Sequence, residues 1–278
     1  HNIRTGRGDR RGALRLGAFV FSLDLARRLL QAHHTGSTWE SVLFLQMLAE
    51  SLGSGGRIWL AYLALEPWVR RRWPQTMVTW ARLLGGDVRD ALLGRDLLIG
   101  ILVGLGYDLV FAVAMVFMQQ RGAPPEISVT LSALMGLPLL ASGLCAHIID
   151  SLGGAFLFFL LLFLLRLLLR REWIAGLVFT LGFALPRGFA SGFPAIMIPA
   201  YALIYGLLVF VLLRFGLAAV LACLFVADIM PNMVFTANFG AWYGTPSLVF
   251  CLCVIGLAAW AFRTSLAGSS VLEGMMGN

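Results

Sequence analysis

Charge is scarce in this chain of 278 residues, because only 13% of the residues are charged while 59% are apolar. Soluble domains have about a quarter charged and about half apolar residues. A soluble protein of the observed composition would have too few polar side chains to cover its surface. The low charge therefore excludes an ordinary soluble domain and predicts a membrane protein with several spans.

Lysine is absent, so all 21 basic residues are arginine, and the formal net charge is +7. These arginines lie between apolar runs, where basic residues set the orientation of membrane helices. A phosphate-binding surface needs a continuous basic face, which this pattern does not provide. We therefore expect the lipid bilayer as a partner and exclude nucleic acid.

Cysteine is also rare, and the four cysteines all fall within apolar segments: Cys145, Cys223, Cys251 and Cys253. Cys251 and Cys253 are two residues apart, so they point in different directions on a helix. We interpret all four as small core residues. The sequence predicts no disulfide framework, no metal site and no cofactor.

Long apolar runs recur along the chain, and a spanning helix needs about 20 mostly apolar residues. We predict an all-α, polytopic transmembrane helix bundle of about eight spans, although seven or nine also fit. Residues 1–15 are expected to form a basic juxtamembrane linker and residues 264–278 a cytoplasmic tail. The transmembrane domain then covers residues 16–263.

Two segments interrupt the pattern of simple crossings. Residues 74–95 combine tryptophan and arginine on a half-apolar helix, which is typical of an amphipathic helix at the inner membrane surface. Trp73 and Trp80 are expected at headgroup level there. Residues 128–149 are diluted by glycine, serine and proline, and we expect them to form an outer or re-entrant segment.

The positive-inside rule orients the bundle. Placing the arginine-rich loops inside puts both termini, Arg71 and Arg170 in the cytoplasm, and it puts Arg121 outside. Only one crossing then lies between Ser128 and Leu169.

Ionisable side chains inside spans are costly, so each is a candidate functional residue. Glu50 and Arg57 are seven residues apart, which favours an ion pair within the bundle, with a relay or binding pair as the alternative. Asp108 lies about 17 Å into its span. It is the best single candidate for an ion or proton site, and a hydrogen bond to a neighbouring helix is the alternative.

Four further candidates lie towards the outer side. His147 and Asp150 are three residues apart with Cys145 nearby, but the chain lacks the second histidine pair that a zinc site usually needs. Asp228 and Asn232 share a helix face at i and i+4, which is typical of a water-facing pair. Nearer the start of the chain, Asp24 can pair with arginines at i+3 and i+4.

An intramembrane hydrolase would need a serine beside glycine and a histidine base. Ser54, Ser142 and Ser191 each precede a glycine, and His147 is the one histidine deep enough to assist them. Small residues in membrane helices are more often packing devices, so no catalytic residue is assigned.

Five stretches together resemble the C-terminal membrane domain of some bacterial serine/threonine protein kinases, particularly acidobacterial ones. They are GRGDRRGALRL (Gly6–Leu16), YLALEPWVRRRWPQT (Tyr62–Thr76), GRDLLIG (Gly94–Gly100), VLLRFG (Val211–Gly216) and FRTSLAG (Phe262–Gly268).

The resemblance implies a kinase domain before His1 and a location in the bacterial cytoplasmic membrane. The kinase chemistry itself is absent from this chain, because phosphate binding needs a lysine and the sequence has neither lysine nor the other kinase motifs. We therefore expect a domain that anchors and regulates a covalently linked cytoplasmic kinase. The alternatives are a small-molecule or ion transporter built around Glu50, Arg57 and Asp108, and, less favoured, an intramembrane hydrolase. The sequence predicts no oligomeric state.

Overall fold

The computed structural model describes residues 9–32, 36, 39–124, 131–232, 236, 238 and 240–266. These residues form helices and contain no β-strand, which confirms the predicted all-α class for the described part of the chain. The α-helices are α1 (Arg10–Gln31), α2 (Glu40–Arg72), α3 (Val78–Gly85), α4 (Ala91–Gln120), α5 (Leu137–Leu169), α6 (Glu172–Ala190), α7 (Pro194–Phe215), α8 (Leu217–Asn232) and α9 (Gly244–Leu266). Two short 3-10 helices cover Pro74–Met77 and Leu131–Leu134.

Five of the helices are long and apolar enough to cross a membrane, namely α4, α5, α6, α7 and α9. The apolar part of α8 is shorter, at Leu217–Ile229. In α1 and α2 charged and polar residues interrupt the apolar run, so neither counts among the five. The chain is therefore a helical membrane protein in which five helices meet the criteria for a span, fewer than the eight crossings expected from the sequence.

Consecutive long helices run antiparallel. Gly176 lies against Val209 and Gly188 lies against Ile198, so α6 and α7 pass in opposite directions. The contacts of the other long helices follow the same alternation. Helices α1, α4, α6 and α8 therefore run one way, and α2, α5, α7 and α9 run the other way.

Helices α4 and α8 make the most extensive helix pair in the described chain. Two glycines one turn apart, Gly100 and Gly104, face α8. A Cβ atom at Gly100 would lie 2.2 Å from the carbonyl oxygen of Ala219, and one at Gly104 would lie 2.7 Å from that of Cys223. Small residues at this spacing let two membrane helices approach closely.

One end of the bundle carries most of the arginines, and we call it the arginine end. It consists of the starts of α1, α4, α6 and α8, the ends of α2, α5, α7 and α9, and the connection through α3. Fourteen arginines lie there: Arg10, Arg11, Arg15, Arg70, Arg71, Arg72, Arg82, Arg89, Arg95, Arg166, Arg170, Arg171, Arg214 and Arg263. Arg121 lies at the opposite end, and Arg187 lies in the last turn of α6, towards that end.

The prediction of an interfacial helix over residues 74–95 is wrong in its bounds and in the position of its tryptophans. The segment consists of a 3-10 turn, the short helix α3, and a turn before α4, which already begins at Ala91. Trp73 and Trp80 are only 1% and 2% exposed, so they face the protein core rather than lipid headgroups. The Trp73 ring stacks on Phe159 at 5.9 Å, and the Arg166 guanidinium lies 4.5 Å from its centroid.

The other expected boundaries also change. Helix α5 is continuous from Leu137 to Leu169, so residues 137–149 belong to the same helix as the apolar run that follows them. Helix α1 begins at Arg10 and α9 ends at Leu266, which shortens both the expected linker and the expected tail. Residues 1–8, 125–130 and 267–278 lie outside the described chain.

Candidate functional site

The seven candidate residues fall at separate places in the bundle. Glu50 and Arg57 lie on α2, Asp108 lies on α4, and His147, Asp150 and Asp228 lie together between α5 and α8. The side chain of Asn232 lies outside the described residues.

An ionic cluster joins α1 to α2. Asp24 is only 2% exposed, and its two oxygens accept from Arg27 Nε at 2.8 Å and from Arg28 Nε at 3.0 Å. This confirms the pairing predicted from the i+3 and i+4 spacing. Arg28 also forms an ion pair with Glu50 across the helix interface.

The expected ion pair between Glu50 and Arg57 is wrong. Seven residues along a helix correspond to a rise of about 10 Å. The antiparallel α1 places Arg28 directly beside Glu50 instead. Arg57 donates to Ser54 Oγ at 3.1 Å on an exposed part of α2.

Asp108 stands apart from this cluster. It makes no hydrogen bond or ion pair within the described residues, and its Oδ2 atom is buried. The expected hydrogen bond to a neighbouring helix is therefore wrong for this part of the chain. Because α2 and α4 do not pack on one another, the trio of Glu50, Arg57 and Asp108 does not form one site.

The remaining candidates meet in the middle of the bundle. His147 Nδ1 lies 2.6 Å from Asp228 Oδ2, and this contact joins α5 to α8. One turn further along α5, Ser151 donates to the backbone carbonyl of His147 at 2.6 Å. Asp150 lies between these residues, 13 residues and about 20 Å from the start of α5.

A cleft of about 260 Å³ opens beside this group. Helices α4 to α8 contribute its walls, and the lining is both charged and aromatic. The polar lining residues are Tyr107, Asp150, Ser151, Arg187, Tyr205 and Asp228.

Sequence analysis had singled out only two of these six side chains. Arg187 follows Pro186 within the apolar helix α6, so the rule that intramembrane charges mark functional sites would have identified it. Tyr107 and Tyr205 carry no such signal, since tyrosines are common in membrane helices.

In the described part of the chain, Ser54, Ser142 and Ser191 make no hydrogen bond to the ring of His147, whose Nδ1 contacts Asp228 instead. Ser142 donates to the Arg27 carbonyl at 3.0 Å, and Ser191 donates to the Gly188 carbonyl at 2.7 Å. Ser151 bonds the backbone of His147 rather than its ring. Among the residues described, no group of three or more metal-binding side chains occurs either.

The chain matches no protein-family model, no curated protein and no solved structure. The resemblance of the sequence to the membrane domain of bacterial serine/threonine protein kinases therefore remains a prediction.

Proposed function

We propose that the chain is the membrane domain of a bacterial serine/threonine protein kinase, which it anchors and regulates from the inner membrane. The observation that supports the proposal is the position of the five stretches in the bundle. The five stretches that resemble such domains are far apart in sequence, yet their described residues meet at the arginine end of the bundle.

The first, second and fourth stretches are in direct contact. The Asp9 backbone N–H donates to Glu66 Oε2 at 3.3 Å, which joins the start of α1 to α2. Gly216 lies against Thr76, where an added Cβ would be 2.4 Å from the threonine carbonyl oxygen. Gly216 also has a φ of +84°, a conformation that favours glycine.

The third and fifth stretches complete this arrangement. The Arg95 guanidinium lies 5.9 Å from the centroid of the Phe215 ring, which belongs to the fourth stretch. Gly94 packs on α9, with Ala261 O and Ser265 N each 2.5 Å from the position of an added Cβ. All five stretches thus belong to one connected structure.

An upstream domain would be joined to the bundle at the arginine end, where these five stretches meet. Helix α1 begins there, and Arg15 of α1 donates to the carbonyl oxygens of Leu84 and Gly85 at 2.7 and 3.0 Å. A kinase domain joined before His1 would therefore connect to a helix whose start packs on α2 and α3. Such a junction supports a regulatory role in addition to anchoring.

The orientation and the number of crossings belong to the same proposal. We place the arginine end in the cytoplasm, because cytoplasmic loops are enriched in arginine. If α1, α2 and α8 cross together with the five apolar helices, the bundle has eight crossings and both termini are cytoplasmic. The alternation of helix directions supports this count.

Single-cysteine labelling tests the orientation. In a background in which the four native cysteines are replaced, Arg121→Cys is expected to react with a membrane-impermeant maleimide added outside the cell. Arg171→Cys is expected to react only after the membrane is opened. External labelling of position 171, or protection of position 121, would overturn the assignment.

The polypeptide encoded by the whole reading frame tests the kinase proposal. We expect a domain upstream of His1 that contains the phosphate-binding lysine and the catalytic Asp, and that phosphorylates itself with Mg-ATP. Replacing that lysine with methionine should abolish the incorporation of phosphate, while membrane retention should be unchanged. A reading frame without kinase motifs, or a full-length protein that remains soluble when it contains residues 1–278, would contradict the proposal.

A further inference from the structure

The cleft lined by helices α4 to α8 contains side chains of opposite charge. Asp150 is exposed although it lies near the middle of α5, and Arg187 is exposed in the last turn of α6. An exposed carboxylate in the middle of an apolar helix faces a water-filled cavity rather than lipid. The cleft is therefore a polar compartment within the bundle.

Two carboxylates give the cleft negative charge. Asp150 makes no hydrogen bond or ion pair within the described chain, and Asp228, bonded to His147, lines the same cleft. Two carboxylates in one cleft attract a cation such as a protonated amine.

Arg187 also lines the cleft. Its guanidinium lies 5.4 Å from the centroids of both the Phe183 and Tyr205 rings, which hold it by cation–π contacts. Within the described residues it pairs with no carboxylate, not even with those that line the same cleft. Its donors therefore remain available to a carboxylate that enters from outside the chain.

We propose that this cleft binds a small zwitterion, an amino-acid-like molecule whose protonated amine lies at Asp150 and whose carboxylate lies at Arg187. Such a molecule satisfies both charges at once, whereas a simple cation or anion leaves one of them without a partner. Tyr107, Tyr205 and the partly buried Phe158 supply aromatic walls for the rest of the molecule.

The size of the cleft agrees with this class of ligand. Ligand pockets for drug-sized molecules span about 300–1,000 Å³. The observed volume of about 260 Å³ is just below that range, so it suits an amino acid better than a nucleotide or an oligosaccharide.

A path from this cleft to the start of the chain runs through α1. Arg27 of α1 lies within electrostatic range of Asp150, and its backbone carbonyl accepts from Ser142 of α5. A bound amine would compete with Arg27 for Asp150. It would therefore weaken the electrostatic attraction between α1 and α5. Binding itself needs only this chain, whereas the link to signalling rests on the proposed kinase function.

Thermal unfolding of the purified chain in detergent, measured with each standard amino acid in turn, tests the proposal. At least one amino acid is expected to raise Tm with a saturable dependence on concentration. The amine obtained by removing its carboxylate, and the acid obtained by removing its amine, should each bind about tenfold more weakly or worse.

Two variants assign the ends of the ligand. Asp150→Asn and Arg187→Gln should each weaken amino-acid binding about tenfold or more. The matched amine should be sensitive to Asp150→Asn alone, since it has no group for Arg187. Arg57→Gln is the control, because the hydrogen bond that Arg57 makes within the described chain is to Ser54 and Arg57 does not line the cleft. Amino-acid binding by this variant should equal that of the unchanged chain.

The proposal fails if no amino acid raises Tm, if the amine binds as tightly as the amino acid, or if both cleft variants bind normally. Failure of the kinase experiment with saturable amino-acid binding would leave the cleft assignment standing and overturn only its signalling role. If the kinase experiment succeeds and no amino acid binds, the kinase proposal stands and the cleft proposal is overturned.

Discussion

Replacing Asp24 with asparagine is expected to lower the free energy of unfolding by about 3 kcal/mol, because the change removes the shared anionic partner of two arginines. Asp24 is almost fully buried, and it is bonded to both Arg27 and Arg28. Arg28 keeps its ion pair with Glu50, so Arg27 loses most. We place the effect at the low end for a broken buried pair since the arginine side chains are 24% exposed.

The measurement is unfolding of the purified chain in mixed micelles, with Asp108→Asn as the matched control. Asp108 has no hydrogen bond or ion pair within the described chain, so the same chemical change there removes no bond. Because it also removes the cost of burying an unpaired carboxylate, this variant should be as stable as the unchanged chain or more stable. Adding Arg27→Gln to the Asp24 variant should restore part of the loss, because the stranded charge is then gone. Equal stability of the two aspartate variants would show that the cluster contributes little.

The fold class was predictable because it depends on composition and on local spacing. An apolar content of 59% and repeated long apolar runs are enough to indicate a helical membrane bundle. The pairing of Asp24 with two arginines was predictable for the same reason, since i+3 and i+4 neighbours share a helix face whatever the tertiary structure is.

Contacts between helices were not predictable in this way. The assumed partner of Glu50 was Arg57 on the same helix, whereas the partner is Arg28, which α1 brings alongside in antiparallel orientation. Similarly, Arg187 reaches the cleft only because α6 packs on α7 beside Tyr205. The local sequence around these residues indicates neither the contact between α1 and α2 nor the contact between α6 and α7.

The two tryptophans show how an amphipathic pattern can mislead. Tryptophan beside arginine is typical of a membrane interface, yet it also suits a buried ring with a cation on its face. Trp73 takes the second role, between Phe159 and Arg166. Whether Trp73 lies at the interface or in the core depends on its contacts with α5. This helix begins more than 60 residues further along the chain, so the sequence around Trp73 does not reveal it.

The close approach of α4 and α8 leads to the other large effect. We expect Gly100→Ala to destabilise the protein by about 3 kcal/mol, the upper end for overpacking. The new Cβ would lie 2.2 Å from the carbonyl oxygen of Ala219, and both atoms belong to helix backbones or are fixed to them. No change of rotamer can relieve this contact, so α8 must move away along its most extensive interface.

Gly106→Ala is the matched control, because Gly106 lies on the same helix and an added Cβ there would meet nothing within 4 Å. Alanine favours a helix over glycine by up to about 1 kcal/mol, so this variant should be as stable as the unchanged chain or slightly more stable. Thermal and denaturant unfolding of the two variants in the same detergent gives the comparison. If Gly100→Ala is as stable as Gly106→Ala, α4 and α8 do not meet through Gly100.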